Sequence, residues 1–127
     1  MEKLKEQKLK ERINEYGLDA DAVLSVRVVE GRDLMPMDIT GKSDPYVVMQ
    51  LGKETFKTKY IAQTLNPVWN EIFTFDVETG REFLDIKVYD FDEFGSDDFC
   101  GKFSLDLNDF RDQLPHDSWY TLLPDSP

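Results

Sequence analysis

At 127 residues, 40% of them hydrophobic and 13% aromatic, the chain can bury one core without disulfides or a structural metal, and it is too apolar to be disordered throughout. A formal net charge of −11 leaves no basic stripe to neutralise phosphates, which argues against a constitutive nucleic-acid binder. Cys100 stands alone, so no internal disulfide can form, and no apolar run reaches signal-peptide or membrane-span length; both point to a cytoplasmic location.

Met1 to Tyr16 holds five basic and four acidic residues, no Pro or Gly, and a narrow apolar stripe of Leu4, Leu9, Ile13 and Tyr16. This predicts a short N-terminal helix closed by Gly17, with residues 1–17 as a helical extension and 18–127 as the main domain. From Val23 the apolar period changes to two: Leu24, Val26 and Val28 alternate with Ser25 and Arg27 up to Glu30 and Gly31. Pro45 to Leu51 repeats the pattern with Val47, Met49 and Leu51 on one face. After Gly52, Thr55 to Ile61 follows, with Lys57 and Lys59 on one side. Beyond Asn66 and Pro67 come Trp69 to Val77, Phe83 to Tyr89, Phe99 to Leu107 and Ser118 to Leu123, with a short helical turn near Asn108 to Arg111. Seven strands in series with frequent turns predict an all-β, antiparallel β-sandwich.

Five aspartates fall in two clusters at strand ends, Asp38 and Asp44 in the first, Asp90, Asp92 and Asp98 in the second. Chain leaving a sheet forms loops, and loops carry sites. Oxygen donors at this density, without histidine or cysteine, suit a hard cation and above all calcium. A turn-former reading accounts for Asp33, Asp97 or Asp109, but not for the five clustered aspartates. An EF-hand from Asp90 fails, because its fifth and twelfth positions would be Phe94 and Gly101. An enzyme is not indicated either: His116 sits between Pro115 and Asp117 with no partner motif, Cys100 reads as a small core residue, and Trp69 and Trp119 read as core or rim aromatics.

The ordered set Leu24-Ser25-Val26-Arg27-Val28, Gly31-Arg32-Asp33-Leu34, Ser43-Asp44-Pro45-Tyr46-Val47, Lys57-Thr58-Lys59, Asn66-Pro67-Val68-Trp69-Asn70-Glu71, Val88-Tyr89-Asp90-Phe91-Asp92 and Asp98-Phe99-Cys100-Gly101 resembles the C2 domain family. That family is the calcium- and phospholipid-binding β-sandwich of protein kinase C and synaptotagmins, and its eight strands imply a sandwich of seven to eight here, with edge pairing by Leu18 to Ala22 or a last strand absent from this chain. The resemblance implies that Asp38, Asp44, Asp90, Asp92 and Asp98 hold two or three calcium ions, with backbone carbonyl ligands at Met37, Phe91 and Ser96. It implies further that Ile39 and Phe94 insert shallowly into a bilayer, and that Lys57 and Lys59 belong to a lysine patch that meets lipid headgroups. Three departures limit that analogy: Glu93 stands where such members often carry a basic residue, and Val48 and Gln50 replace neighbouring lysines of the patch.

The function expected is a calcium-dependent, phospholipid-binding, membrane-targeting module of a larger cytosolic protein, peripheral on an anionic membrane such as phosphatidylserine when calcium binds. Calcium would reverse the local sign of loops that otherwise repel anionic lipid. The alternative is a calcium-independent domain that binds a protein partner through its sheet face and N-terminal helix.

Overall fold

A computed structural model describes residues 9–10, 22–37 and 41–124. Its strands are β1 (Leu9–Lys10), β2 (Ala22–Glu30), β3 (Pro45–Leu51), β4 (Glu54–Lys57), β5 (Val68–Val77), β6 (Phe83–Asp90) and β7 (Asp98–Asp106), followed by a 3-10 turn at Leu107–Phe110. They form two antiparallel sheets, one in the order β1-β2-β5 and the other in the order β4-β3-β6-β7. The period-two residues explain the layers. Leu24, Val26 and Val28 of β2 and Phe75 and Val77 of β5 are buried, as are Val47, Met49 and Leu51 of β3 and Leu84, Ile86 and Val88 of β6. Every second residue therefore points into one shared core, and Phe103, Leu105, Leu107 and Phe110 close it from the β7 side. The antiparallel β-sandwich expected from the sequence is the observed fold.

Three local expectations are corrected. Leu9 and Lys10 are not helical: they pair with Leu24 and Val23 along the edge of β2. An open strand edge offers backbone hydrogen bonds that a short helix with a thin apolar stripe cannot match by packing. The remainder of the expected helix, and Leu18 to Asp21, lie outside the described residues; Ala22 begins β2 opposite Val77. Thr55 to Ile61 is strand only as far as Lys57, because the buried Thr58 hydroxyl takes over as acceptor for Val47 N–H at 2.9 Å. Ser118 to Leu123 is not a strand either. It meets β7 through one bridge, with Lys102 and Leu123 exchanging N–H···O bonds of 2.8 and 2.7 Å. The rest of this strap is held by side chains: Arg32 lies over the Trp119 ring at 4.4 Å, Tyr120 stacks on Phe103 at 5.0 Å, and Leu122 is buried. The turn of helix expected near Asn108 is present, with the Asp106 carboxylate accepting from Asn108 N–H.

Candidate metal site and the adjoining groove

The first loop leaves β2 at Gly31 and is tied down by Gly31 N–H to the Pro67 carbonyl and Leu34 N–H to the Leu65 carbonyl, both 2.9 Å. Its far side closes on Ser43, which is fully buried. The Ser43 hydroxyl accepts from Met37 N–H at 3.1 Å and donates to the Met35 carbonyl at 3.2 Å, while its own carbonyl accepts from Thr64 N–H at 2.8 Å. One hydroxyl thereby fixes the peptide groups that lead to the first acidic position. That position, Asp38, and the adjacent Ile39 lie outside the described residues.

Sheet register gathers three of the other aspartates. Asp90 ends β6, faces Pro45 at the start of β3, and faces Asp98 at the start of β7. Asp44 directly precedes Pro45, so Asp44, Asp90 and Asp98 share one end of the four-stranded sheet. Directly opposite residues on antiparallel strands hold their Cβ atoms about 5 Å apart, a spacing at which like charges repel. Asp90 is 6% exposed, unusual for a carboxylate, and its Oδ1 accepts from Asp44 N–H at 2.7 Å. Asp44 Oδ1 in turn accepts from Gln63 N–H at 2.6 Å, and its carbonyl accepts from Phe91 N–H at 2.9 Å. These bonds pin the base of the third loop to the end of the first.

The third loop, 91–97, is organised by its own carboxylates. Asp92 Oδ1 accepts from Phe94 N–H at 2.9 Å, and a Cβ on Gly95 would stand 3.0 Å from Asp92 Oδ2, so the turn is closely packed against that side chain. Asp97 Oδ1 accepts from Asp92 N–H at 2.9 Å, and its Oδ2 accepts from the Tyr46 hydroxyl. Burial first, then the bond to Asp97 and its charge, push the Tyr46 hydroxyl far above the usual phenol range. The same bond, with Asp92 N–H and the charge of Lys57, holds the Asp97 carboxyl below the usual carboxylate range. A neutral phenol donating to a carboxylate is therefore the stable form of the pair. Phe94 stands at the tip, 92% exposed, beside exposed Glu93.

Beside this loop lies a groove of about 660 Å³ walled by Tyr46, Lys57, Lys59, Tyr60, Phe91 and Asp97. Lys57 and Lys59 are exposed on either side of buried Thr58, whose hydroxyl also donates to the Lys59 carbonyl at 2.9 Å. Tyr60 stacks on Phe91 with ring centres 4.4 Å apart, joining the groove wall to the third loop. Glu71 also lines it, accepting from the Lys59 backbone N–H at 3.0 Å.

Among the sequence-expected residues, then, Asp44, Asp90 and Asp98 share one sheet end, and Met37, Phe91, Asp92 and Ser96 lie on the two loops that leave it. Among the described residues, however, no three acidic, histidine or cysteine side chains converge into a group that could hold a metal ion. The donors present are oxygens alone, carboxylates and peptide carbonyls, the set a hard divalent cation takes. Sequence reasoning missed Ser43, Thr58 and the Tyr46–Asp97 pair. By sequence Asp97 reads as a turn former, and nothing local joins positions 46 and 97.

Residues 22–122 match the C2 domain family. The chain belongs to that family. A C2 and GRAM domain-containing protein of Arabidopsis thaliana is 42% identical to this C2 domain over 104 residues, covering 80% of it and 10% of the plant protein. Synaptotagmin-1 of Aplysia californica is 44% identical over 103 residues, covering 74% of this chain and 24% of its own. A solved, calcium-bound pair of C2 domains from extended synaptotagmin 2 matches with a TM-score of 0.72 at 34% identity, over 79% of this chain and 39% of that one. The C2 domain thus spans between a tenth and a quarter of these two curated relatives. No described helix is long and apolar enough to cross a membrane.

Proposed function

We propose that this C2 domain is a calcium-dependent, phospholipid-binding module that targets a larger cytosolic protein to membranes, with residues 18–127 as the sandwich and no catalytic role of its own. The observation that carries the reading is the register of β3, β6 and β7, which sets Asp98 opposite Asp90 and leaves Asp44, next to Asp90's other partner Pro45, at the same sheet end as the loop with exposed Phe94. Like charges so placed favour a cation between them. The residues that would hold two or three calcium ions are Asp38, Asp44, Asp90, Asp92 and Asp98, with the carbonyls of Met37, Phe91 and Ser96. Bound there, calcium would supply positive charge at the sheet end and open coordination positions for lipid phosphate.

The chain's own residues do the remainder. Ser43 fixes the approach to Asp38, and the Asp44–Asp90 bond couples the first loop to the third. Phe94 and Ile39 would enter the bilayer at shallow depth, and Lys57 and Lys59 would meet anionic headgroups, phosphatidylserine among them. A calcium-bound extended synaptotagmin 2 of the same fold supports the choice of ion. The protein would be cytoplasmic and peripheral at a membrane when calcium rises. Sedimentation with phosphatidylserine vesicles tests this: the wild type should pellet only with calcium, and Asp90→Asn with Asp92→Asn should abolish pelleting. Pelleting of the double variant that needs no calcium would favour the calcium-independent, protein-binding reading.

A further inference from the structure

We infer that Asp97 is a positioning residue for the third calcium loop, latching the peptide between Phe91 and Asp92 to Tyr46 on β3. The inference rests on the calcium reading of that loop and adds to it a residue outside the ligand set. Its basis is geometric. Both Asp97 oxygens are engaged within the fold, Oδ1 by Asp92 N–H at 2.9 Å and Oδ2 by the Tyr46 hydroxyl. A carboxylate with both oxygens so engaged braces the groups on either side of it.

The brace starts from a firm point. Tyr46 lies in the interior of the four-stranded sheet, opposite Tyr89 in register and stacked on its ring at 5.8 Å. It ends on a peptide that matters. The N–H of Asp92 and the carbonyl of Phe91 belong to one planar trans unit and point in opposite directions, so fixing the N–H fixes the carbonyl. The Phe91 carbonyl is one proposed calcium ligand, and the Asp92 carboxylate, held by Phe94 N–H, is another. The base of the loop is tied separately, through Phe91 N–H to the Asp44 carbonyl. Asp97 therefore acts on the part of the loop beyond that tie. Ligand groups held in place before the ion arrives lose less freedom on binding it, which raises affinity.

Three variants of the whole chain test this. In Asp97→Asn the side-chain carbonyl can accept from Asp92 N–H while the amide donates to the Tyr46 oxygen, so the latch survives without its charge. In Asp97→Ala both bonds are lost, and in Tyr46→Phe only the bond to the sheet is lost. Amide exchange of Asp92 without calcium, followed by NMR, should accelerate about tenfold in Asp97→Ala, the loss of about one hydrogen bond, and stay within about twofold of wild type in Asp97→Asn. Calcium affinity by calorimetry should follow the same order, falling about tenfold for alanine, less for Tyr46→Phe, and about twofold or less for asparagine. Exchange that rises equally throughout β3 and β7 would mean a general structural role and overturn the inference. So would asparagine as damaging as alanine, which would assign the effect to charge. Wild-type calcium heat with unaltered affinity in Asp97→Ala would overturn positioning alone, whereas no calcium heat from the wild type would defeat the calcium reading and the positioning role with it.

Discussion

Ser43→Ala removes a single oxygen on which the first loop closes. The hydroxyl is fully buried, accepts from Met37 N–H and donates to the Met35 carbonyl, so the substitution breaks two hydrogen bonds and leaves two peptide groups without those partners. Each lost bond costs about 1 kcal/mol net, and more where the stranded group stays dry. Met35 is 56% exposed, so water can reach this part of the loop and the cost stays near the lower end, about 2 kcal/mol. Against a total stability of roughly 5–15 kcal/mol that is a large fraction. For a domain of this size it corresponds to a melting temperature lower by roughly 6–12 °C. Urea denaturation followed by tryptophan fluorescence should show the midpoint falling at constant slope. Because the same bonds fix the approach to Met37 and Asp38, calcium affinity should drop several-fold in parallel. A loss of stability below about 0.5 kcal/mol would mean instead that water replaces both bonds without cost and that Ser43 does not hold the loop.

Gly101→Ala should destabilise by about 1–3 kcal/mol, because a Cβ there would stand 2.8 Å from Leu122 Cβ and the residue adopts φ +154°; an unchanged urea midpoint would show that the 118–123 strap yields freely. Glu82 supplies an acid-sensitive contact. Burial favours its neutral form, yet the Thr79 hydroxyl and the N–H groups of Glu78 and Thr79 bring it from 4.5 down to about 2. Its folded value lies below its unfolded value, so its stabilisation is present above about pH 4.5 and is lost as pH falls toward about 2. Glu82→Gln should accordingly flatten the fall in urea midpoint between about pH 5 and about pH 3, and an unaltered slope would assign that fall to other groups. Lys57→Ala with Lys59→Ala should weaken binding to anionic vesicles by about 1 kcal/mol per lysine at low salt, and unchanged binding would dismiss the groove lysines as headgroup contacts.

Much of this fold was legible because four strands keep strict alternation. In β2, β3, β5 and β6 every buried apolar position falls on the inward half of the pattern, and the two inner faces follow. The failures share a cause, which is tertiary competition for backbone hydrogen bonds. Leu9 and Lys10 carry a helical pattern but meet an open edge of β2. Thr58 ends β4 early by offering its hydroxyl in place of a main-chain acceptor. Ser118 to Leu123 carries aromatic and apolar residues suited to a strand, yet Trp119, Tyr120 and Leu122 dock by their side chains and leave one backbone bridge. At the site, the aspartates announce themselves by spacing, and register then brings Asp90 opposite Asp98. The supports do not. Ser43, Thr58 and Asp97 are common polar residues whose importance arises from partners that local sequence does not reveal: Met37 is 6 positions from Ser43, Val47 11 from Thr58 and Tyr46 51 from Asp97.

Carboxylates at one sheet end should bind calcium, and the bound ion should bring the C2 domain to anionic lipid. Titration calorimetry of the intact protein with calcium, in the absence and presence of phosphatidylserine vesicles, decides this. Saturable calcium heat is expected with more than one ion per chain, tightened by the vesicles and removed by Asp90→Asn. An absence of calcium heat at millimolar concentration, with or without lipid, would contradict it.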